Sequence, residues 1–265
     1  MTWLLGLDAA RWQGKLKGNA LDGCVVKDNA GKVVGPVKFA YFKATHGTGG
    51  VDEQFVWNAT SSAPMKRRGF YMWLVPTQDP LKQADHFCDV VSEFDRPTDL
   101  PPAIDFEDDG NGRVRGKALL DIARACVMRV EERLGLRRSV LYTGKWFWQQ
   151  ACADIDDDFF AKRPLWHAQY PGHVVSEGEK PAIAKPWASR NIAETFWQFD
   201  GDKGLFLPGE ATALGKPVDA DFNRFMGSEE DLDTFTMWAR TPSVAACPPD
   251  PDAMADDWRK PPPAV

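Results

Sequence analysis

The sequence predicts a parallel α/β fold closed into a barrel, and three observations point there. Short apolar runs alternate with helical stretches along most of the chain, the pattern of repeated strand–helix units. The chain has 265 residues, a length that α/β barrels reach as one domain. Its composition is 43% apolar and 12% aromatic, which supplies a sizeable core and excludes a disordered chain.

The elements follow in order. Leu4 to Ala10 and Val37 to Ala44 read as strands, and Glu53 to Arg68 as a helix ended by Gly69. Phe70 to Val75 reads as a buried strand. Pro80 opens a helix through Val91, because a missing N–H costs nothing in a first helical turn, and Ala84, Phe87, Cys88 and Val91 recur at helical spacing. Pro101 to Phe106 is the next strand. Lys117 to Leu134 is the clearest helix: Leu119, Ile122, Ala123, Cys126, Val127, Val130 and Leu134 share one face, and Gly135 is a natural stop. Ser139 to Thr143 follows as a strand, then a short aromatic helix around Trp146 and Trp148. Leu165 to Tyr170 and Thr195 to Phe199 read as later strands, and Glu229 to Ala239 as a closing helix. The second half supplies fewer helices than an ideal eightfold barrel. Residues 1–240 therefore form the barrel, and 241–265, with seven of the twenty prolines, form a tail or linker.

Several function classes are disfavoured. A net charge of −6 argues against nucleic acid, and the basic cluster Lys66, Arg67 and Arg68 reads as a solvated helix end. No apolar run approaches the roughly 18 residues of a membrane span. Met1 to Gly14 lacks the basic start of a signal peptide. Five scattered cysteines suit a reducing compartment of synthesis. The four histidines (His46, His86, His167 and His173) show no paired metal spacing, and there is no phosphate-cradling loop, so no cofactor is expected.

The chemistry sits in acids at strand ends. Asp105 and Glu107 close the run Ala-Ile-Asp-Phe-Glu. Residues i and i+2 of a strand share a face, so both carboxylates look into one environment while Phe106 points away. At the C-terminal end of a barrel strand that face is the active-site mouth. Two carboxylates held together do not both ionise cheaply, and a carboxylic acid beside a carboxylate is the equipment for breaking a glycosidic bond. Asp8 ends the first strand and reaches the same mouth, while Asp219 and Asp221 are candidates near the other end. A lone acid after a strand is more often a helix cap or a solvated turn than a catalyst, and Asp108 and Asp109 read as loop charges. The eleven tryptophans fit either core mass or flat platforms for sugar rings.

At this point the sequence resembles a known family. Gly6-Leu7-Asp8-Ala9-Ala10-Arg11-Trp12-Gln13-Gly14 looks like the opening segment of glycoside hydrolase family 25, the Chalaropsis-type lysozymes. Phe42-Lys43-Ala44-Thr45-His46-Gly47 resembles its Lys-Ala-Thr-Glu-Gly segment, with Asp52, Phe55 and Asn58 following. Gly69-Phe70-Tyr71, Leu100 to Glu107, Leu141-Tyr142-Thr143, Leu165 to Tyr170 and Trp197-Gln198-Phe199 resemble later strands, in order from about residue 4 to 239. The resemblance implies an irregular TIM-like α/β barrel with eight strands and fewer than eight helices. It implies a muramidase that cuts the β-1,4 bond between N-acetylmuramic acid and N-acetylglucosamine in peptidoglycan. Glu107 would then protonate the leaving oxygen, and Asp105 would orient the substrate's own acetamide. Asp8 would complete the acidic floor, and Asp221, with Asn223 and Gly227 at the family's spacing, is preferred over Asp219 as the last acid. Tyr71, Tyr142, Trp166, Trp197 and Gln198 are the expected sugar contacts.

Three departures stand out. His46 replaces the family's Glu, Tyr71-Met72-Trp73 replaces Tyr-His-Phe, and the loop from Gly201 to Pro217 is longer than usual. The resulting expectation is a monomeric, endolysin-like enzyme made in the bacterial cytoplasm without a signal peptide, acting on the wall after release. The alternatives are a chitinase-like hydrolase of another N-acetylglucosamine polymer and a catalytically silent glycan-binding barrel.

Overall fold

A computed structural model describes residues 3–107, 113–201 and 204–242. In chain order its strands are β1 (Trp3–Ala9), β2 (Val25–Asp28), β3 (Val33–His46), β4 (Gly50–Val51), β5 (Arg68–Trp73), β6 (Ala103–Asp105), β7 (Val140–Gly144), β8 (Leu165–Ala168), β9 (Phe196–Asp200), β10 (Leu205–Leu207), β11 (Val218–Asp219) and β12 (Asp221–Met226). The helices are α1 (Gly18–Leu21), α2 (Phe55–Ser61), α3 (Pro80–Val91), α4 (Gly116–Arg133), α5 (Lys145–Ala151), α6 (Asp158–Ala161) and α7 (Glu229–Arg240). Eight strands close a barrel in the order β1-β12-β9-β8-β7-β6-β5-β3, with β3 returning to β1.

The barrel is mixed rather than wholly parallel. β12 runs antiparallel to both β1 and β9, whereas the remaining seams are parallel. The connection explains the difference. A parallel return needs a crossover, usually helical, and between β9 and β12 the chain instead spends its length on β10 and β11. Those two strands extend a side sheet with β2 and the start of β3.

Strict alternation sorts the side chains. Leu4, Phe39, Tyr41, Tyr71, Ala103, Val140, Trp166, Phe196 and Phe225 fill the interior, and Leu232 and Phe235 of α7 pack against them. The alternate residues Leu5, Phe42, Phe70, Ile104 and Leu141 join the apolar stripes of α3 and α4 in the outer core. Gly6 takes an inward position where a Cβ would stand 2.3 Å from the Phe39 ring, so the site calls for glycine.

The expected helix over 53–68 shortens to Phe55–Ser61, and Arg68 instead begins β5. Pro64 disfavours helical backbone at the residue before it, and the Ser62 hydroxyl donates back to the Ala59 carbonyl at 3.3 Å. The basic cluster is also not a solvated helix end. Arg67 is buried and meets Glu229 and Asp233 of α7 at 2.6 and 2.8 Å. Arg68 is buried with Asp99 at 3.3 Å. These partners are supplied by tertiary contact, since a buried charge needs a partner. Past Pro242, the expected proline-rich tail lies outside the described residues, as do Asp108 and Asp109.

Candidate active site

One cleft, of about 190 Å³, opens among the strand ends. Asp8, Asp105, Glu107 and Asp221 all line it, as do Tyr71, Tyr142, Trp166 and Gln198. Asp105 closes β6 and points inward. Phe106 turns outward against Phe147 and Phe160, at centroid distances of 5.2 and 6.4 Å. Glu107 therefore returns to the cleft beside Asp105.

The Asp105 carboxyl is buried, and its Oδ1 meets no hydrogen-bond donor among the described residues. Burial holds its pKa well above the ordinary carboxylate range; Glu107 and Asp8 push the same way and Lys43 opposes them. The Lys43 amine, from β3, lies 4.0 Å over the Trp73 ring. Burial lowers its pKa against the pull of Asp105, Asp52 and Glu107. The pocket thus sets acids and one amine in a medium that penalises every charge.

Asp8 is the best-anchored acid. Its Oδ1 accepts from Gln198 Nε2 at 2.8 Å and from Asn223 Nδ2 at 2.7 Å. Asn223 Oδ1 in turn accepts from Trp166 Nε1 at 2.6 Å. Gln198 Oε1 accepts from Tyr142 Oη at 2.7 Å and Tyr170 Oη at 2.5 Å. Burial, followed by nearby acids, raises the pKa of Tyr71 and Tyr142, so both phenols stay protonated.

Asp221 stands opposite Asp8 in the β1–β12 register and lines the cleft. Asp219 pairs with Phe206 in the side sheet and is not a lining residue. Trp197 corrects an expectation. It is 1% exposed and faces the outer core, where Nε1 donates to the Gln169 carbonyl at 2.7 Å and the Arg224 guanidinium lies 4.3 Å over its ring. Strand alternation decides this, because Gln198 next to it takes the inward position. Trp166 lies in the cleft floor with its N–H already engaged. His46 is exposed at the end of β3, opposite Gly50.

Sequence reasoning missed Lys43, Trp73, Tyr170, Trp12 and Gln13 as lining residues. The signal for two of them was present. Lys43 follows the inward Tyr41 by two residues, and Trp73 follows Tyr71 likewise, the same spacing that pairs Asp105 with Glu107. Among the described residues, no three His, Cys, Asp or Glu side chains are arranged to hold a metal ion. No helix there is long and apolar enough to cross a membrane.

A glycosidase is what this barrel and its paired acids define. The chain belongs to glycosyl hydrolases family 25, whose pattern matches residues 7–205. It is 28% identical over 231 residues to the uncharacterized protein YegX of Escherichia coli O157:H7, covering 87% of this chain and 72% of that one. It is 26% identical over 233 residues to Lysozyme M1 of Streptomyces globisporus, covering 86% and 69% respectively. Its fold matches the bacterial lysozyme from Streptomyces coelicolor with a TM-score of 0.66 at 24% identity, covering 89% of this chain and 98% of that one.

Proposed function

We propose that this family 25 lysozyme hydrolyses the β-1,4 bond between N-acetylmuramic acid and N-acetylglucosamine of peptidoglycan, with Glu107 as the acid and Asp105 as the residue that orients the substrate's acetamide. The observation that carries this reading is the pair itself: Asp105 and Glu107 line one cleft while Phe106 turns away. Carboxyls two residues apart lie on one side of a bound sugar rather than across it, which favours attack by the substrate's own acetamide over attack by a carboxylate.

Burial and the neighbouring Glu107 raise the Asp105 pKa, so double ionisation of the pair is penalised and the pair favours keeping one proton between them. An acetamide N–H donating to Asp105 selects the form in which Glu107 holds that proton. Glu107 then gives it to the glycosidic oxygen as the bond to C1 breaks. The acetamide oxygen closes on C1, and Asp105 holds the N–H as positive charge develops. Water next attacks C1, its proton passes to the Glu107 carboxylate, and the acetamide is restored. Asp8, fixed by Gln198 and Asn223, and Asp221 opposite it shape the acidic floor. Tyr71 and Tyr142 offer neutral phenols to sugar hydroxyls.

The test is mass spectrometry of products from purified peptidoglycan, with Glu107→Gln as control. Fragments ending in reducing N-acetylmuramic acid are expected from the parent protein, and Glu107→Gln is expected to lose about 10²–10⁴-fold in kcat/KM with its circular dichroism unchanged. Intact glycan with the parent protein bound to it would instead favour a silent binding barrel.

A further inference from the structure

Trp12 lines the mouth of the cleft and yet is 76% exposed. Past Gln13, which also lines the cleft, the chain is held between α2 and the turn around Ala213. Leu16 N–H donates to Asn58 Oδ1 at 2.9 Å, and Trp57 Nε1 donates to the Leu16 carbonyl at 2.9 Å. The Ala213 N–H donates to the Lys15 carbonyl at 2.9 Å. This clamp sets Lys15 beside Trp57, 44% exposed, and bonds its backbone to the residue before Leu214, 83% exposed. The Lys15 ammonium lies 4.8 Å over the Trp57 ring, and the Arg11 guanidinium 4.4 Å over the Trp12 ring.

Exposed apolar groups scattered singly need no explanation, but a contiguous set does. Here Trp12 lines the cleft, and three residues further along the chain Lys15 joins Trp57 outside it. The chemistry of the set is flat indole faces and cations, on a protein whose net charge is −6. Indole faces suit the C–H faces of pyranose rings, and the cations suit the carboxylates of peptide stems. Arg11 also has Glu53 at 3.7 Å, whereas Lys15 lies over the Trp57 ring.

We propose that Trp12, Lys15, Trp57 and Leu214 form a second binding strip, continuous with the cleft, that holds the same peptidoglycan strand outside the reacting saccharides. The proposal rests on the lysozyme reading above. The strip favours polymeric wall over short oligosaccharides, because only a long strand reaches both it and the acids.

Two sets of variants test it: Trp57→Ala, which also removes the indole bond to Leu16, and Lys15→Glu combined with Leu214→Asp, which leaves that bond in place. Each is assayed for sedimentation with insoluble sacculi, in a Glu107→Gln background, and for hydrolysis of a soluble peptidoglycan tetrasaccharide with Glu107 intact. Binding to sacculi about tenfold weaker, with tetrasaccharide turnover retained, supports the strip. If the parent protein cuts sacculi and the charge-reversed variant binds them as before, the strip is overturned and the lysozyme reading stands. If the parent protein neither cuts nor binds sacculi, both fall. A parent dimer that dissociates in the same variants, with sacculus binding unchanged, would assign this face to a second copy of the chain.

Discussion

Asn223 Nδ2 donates to Asp8 Oδ1 at 2.7 Å across the β1–β12 seam, where the barrel closes antiparallel. The bond ties the first strand of the chain to its last barrel strand, and through Trp166 Nε1 it extends across the floor of the cleft. The same amide therefore reinforces the closing seam and orients one active-site acid.

Asn223→Ala is expected to lower both stability and activity. It removes one of the donors to Asp8 and leaves the buried Trp166 N–H without its acceptor. An orphaned buried donor costs about 1–3 kcal/mol. Urea denaturation should show that loss, while kcat falls more than KM rises because Asp8 is displaced rather than removed.

Asp105→Asn is expected to abolish activity and to stabilise the fold at neutral pH. A carboxyl whose folded pKa is raised favours folding only while protonated. Its contribution turns unfavourable as pH rises from the ordinary value of 3.8 through the raised folded value. The neutral amide escapes that penalty, so the variant should melt higher than the parent at pH 7, with the gap closing as pH falls toward 4. A variant no more stable at pH 7 would contradict the burial of this charge.

Asp221→Asn is expected to reduce turnover more than Asp219→Asn. Asp221 faces Asp8 and lines the cleft, whereas Asp219 belongs to the side sheet. Initial rates on purified peptidoglycan decide it, and the reverse order would place the wrong acid in the site.

His167 makes a separate pH prediction. It points to the outer core from β8, beside Thr143 of β7, and burial lowers its pKa from 6.5 to about 4. A depressed histidine contributes stability that is full above 6.5 and is lost as pH falls toward 4. Over that window the loss is on the order of 3 kcal/mol. In denaturation curves between pH 7 and pH 4, His167→Gln should show a shallower acid decline than the parent.

The sequence by itself determined most of the strand–helix order, and it determined the acids that share the cleft. Helical stripes such as Leu119 to Val130 and strand ends such as Asp105-Phe106-Glu107 are local patterns, set by backbone periodicity within a few residues. Tertiary structure decided what periodicity leaves open. It turned β12 antiparallel, because the chain between β9 and β12 holds strands in place of a helix. It buried Arg67 against α7, because Glu229 and Asp233 lie far away in sequence but adjacent in space. It put Trp197 outside the cleft and Gln198 inside, since register decides which of two adjacent residues faces inward, and register is fixed only by pairing with β8 and β12.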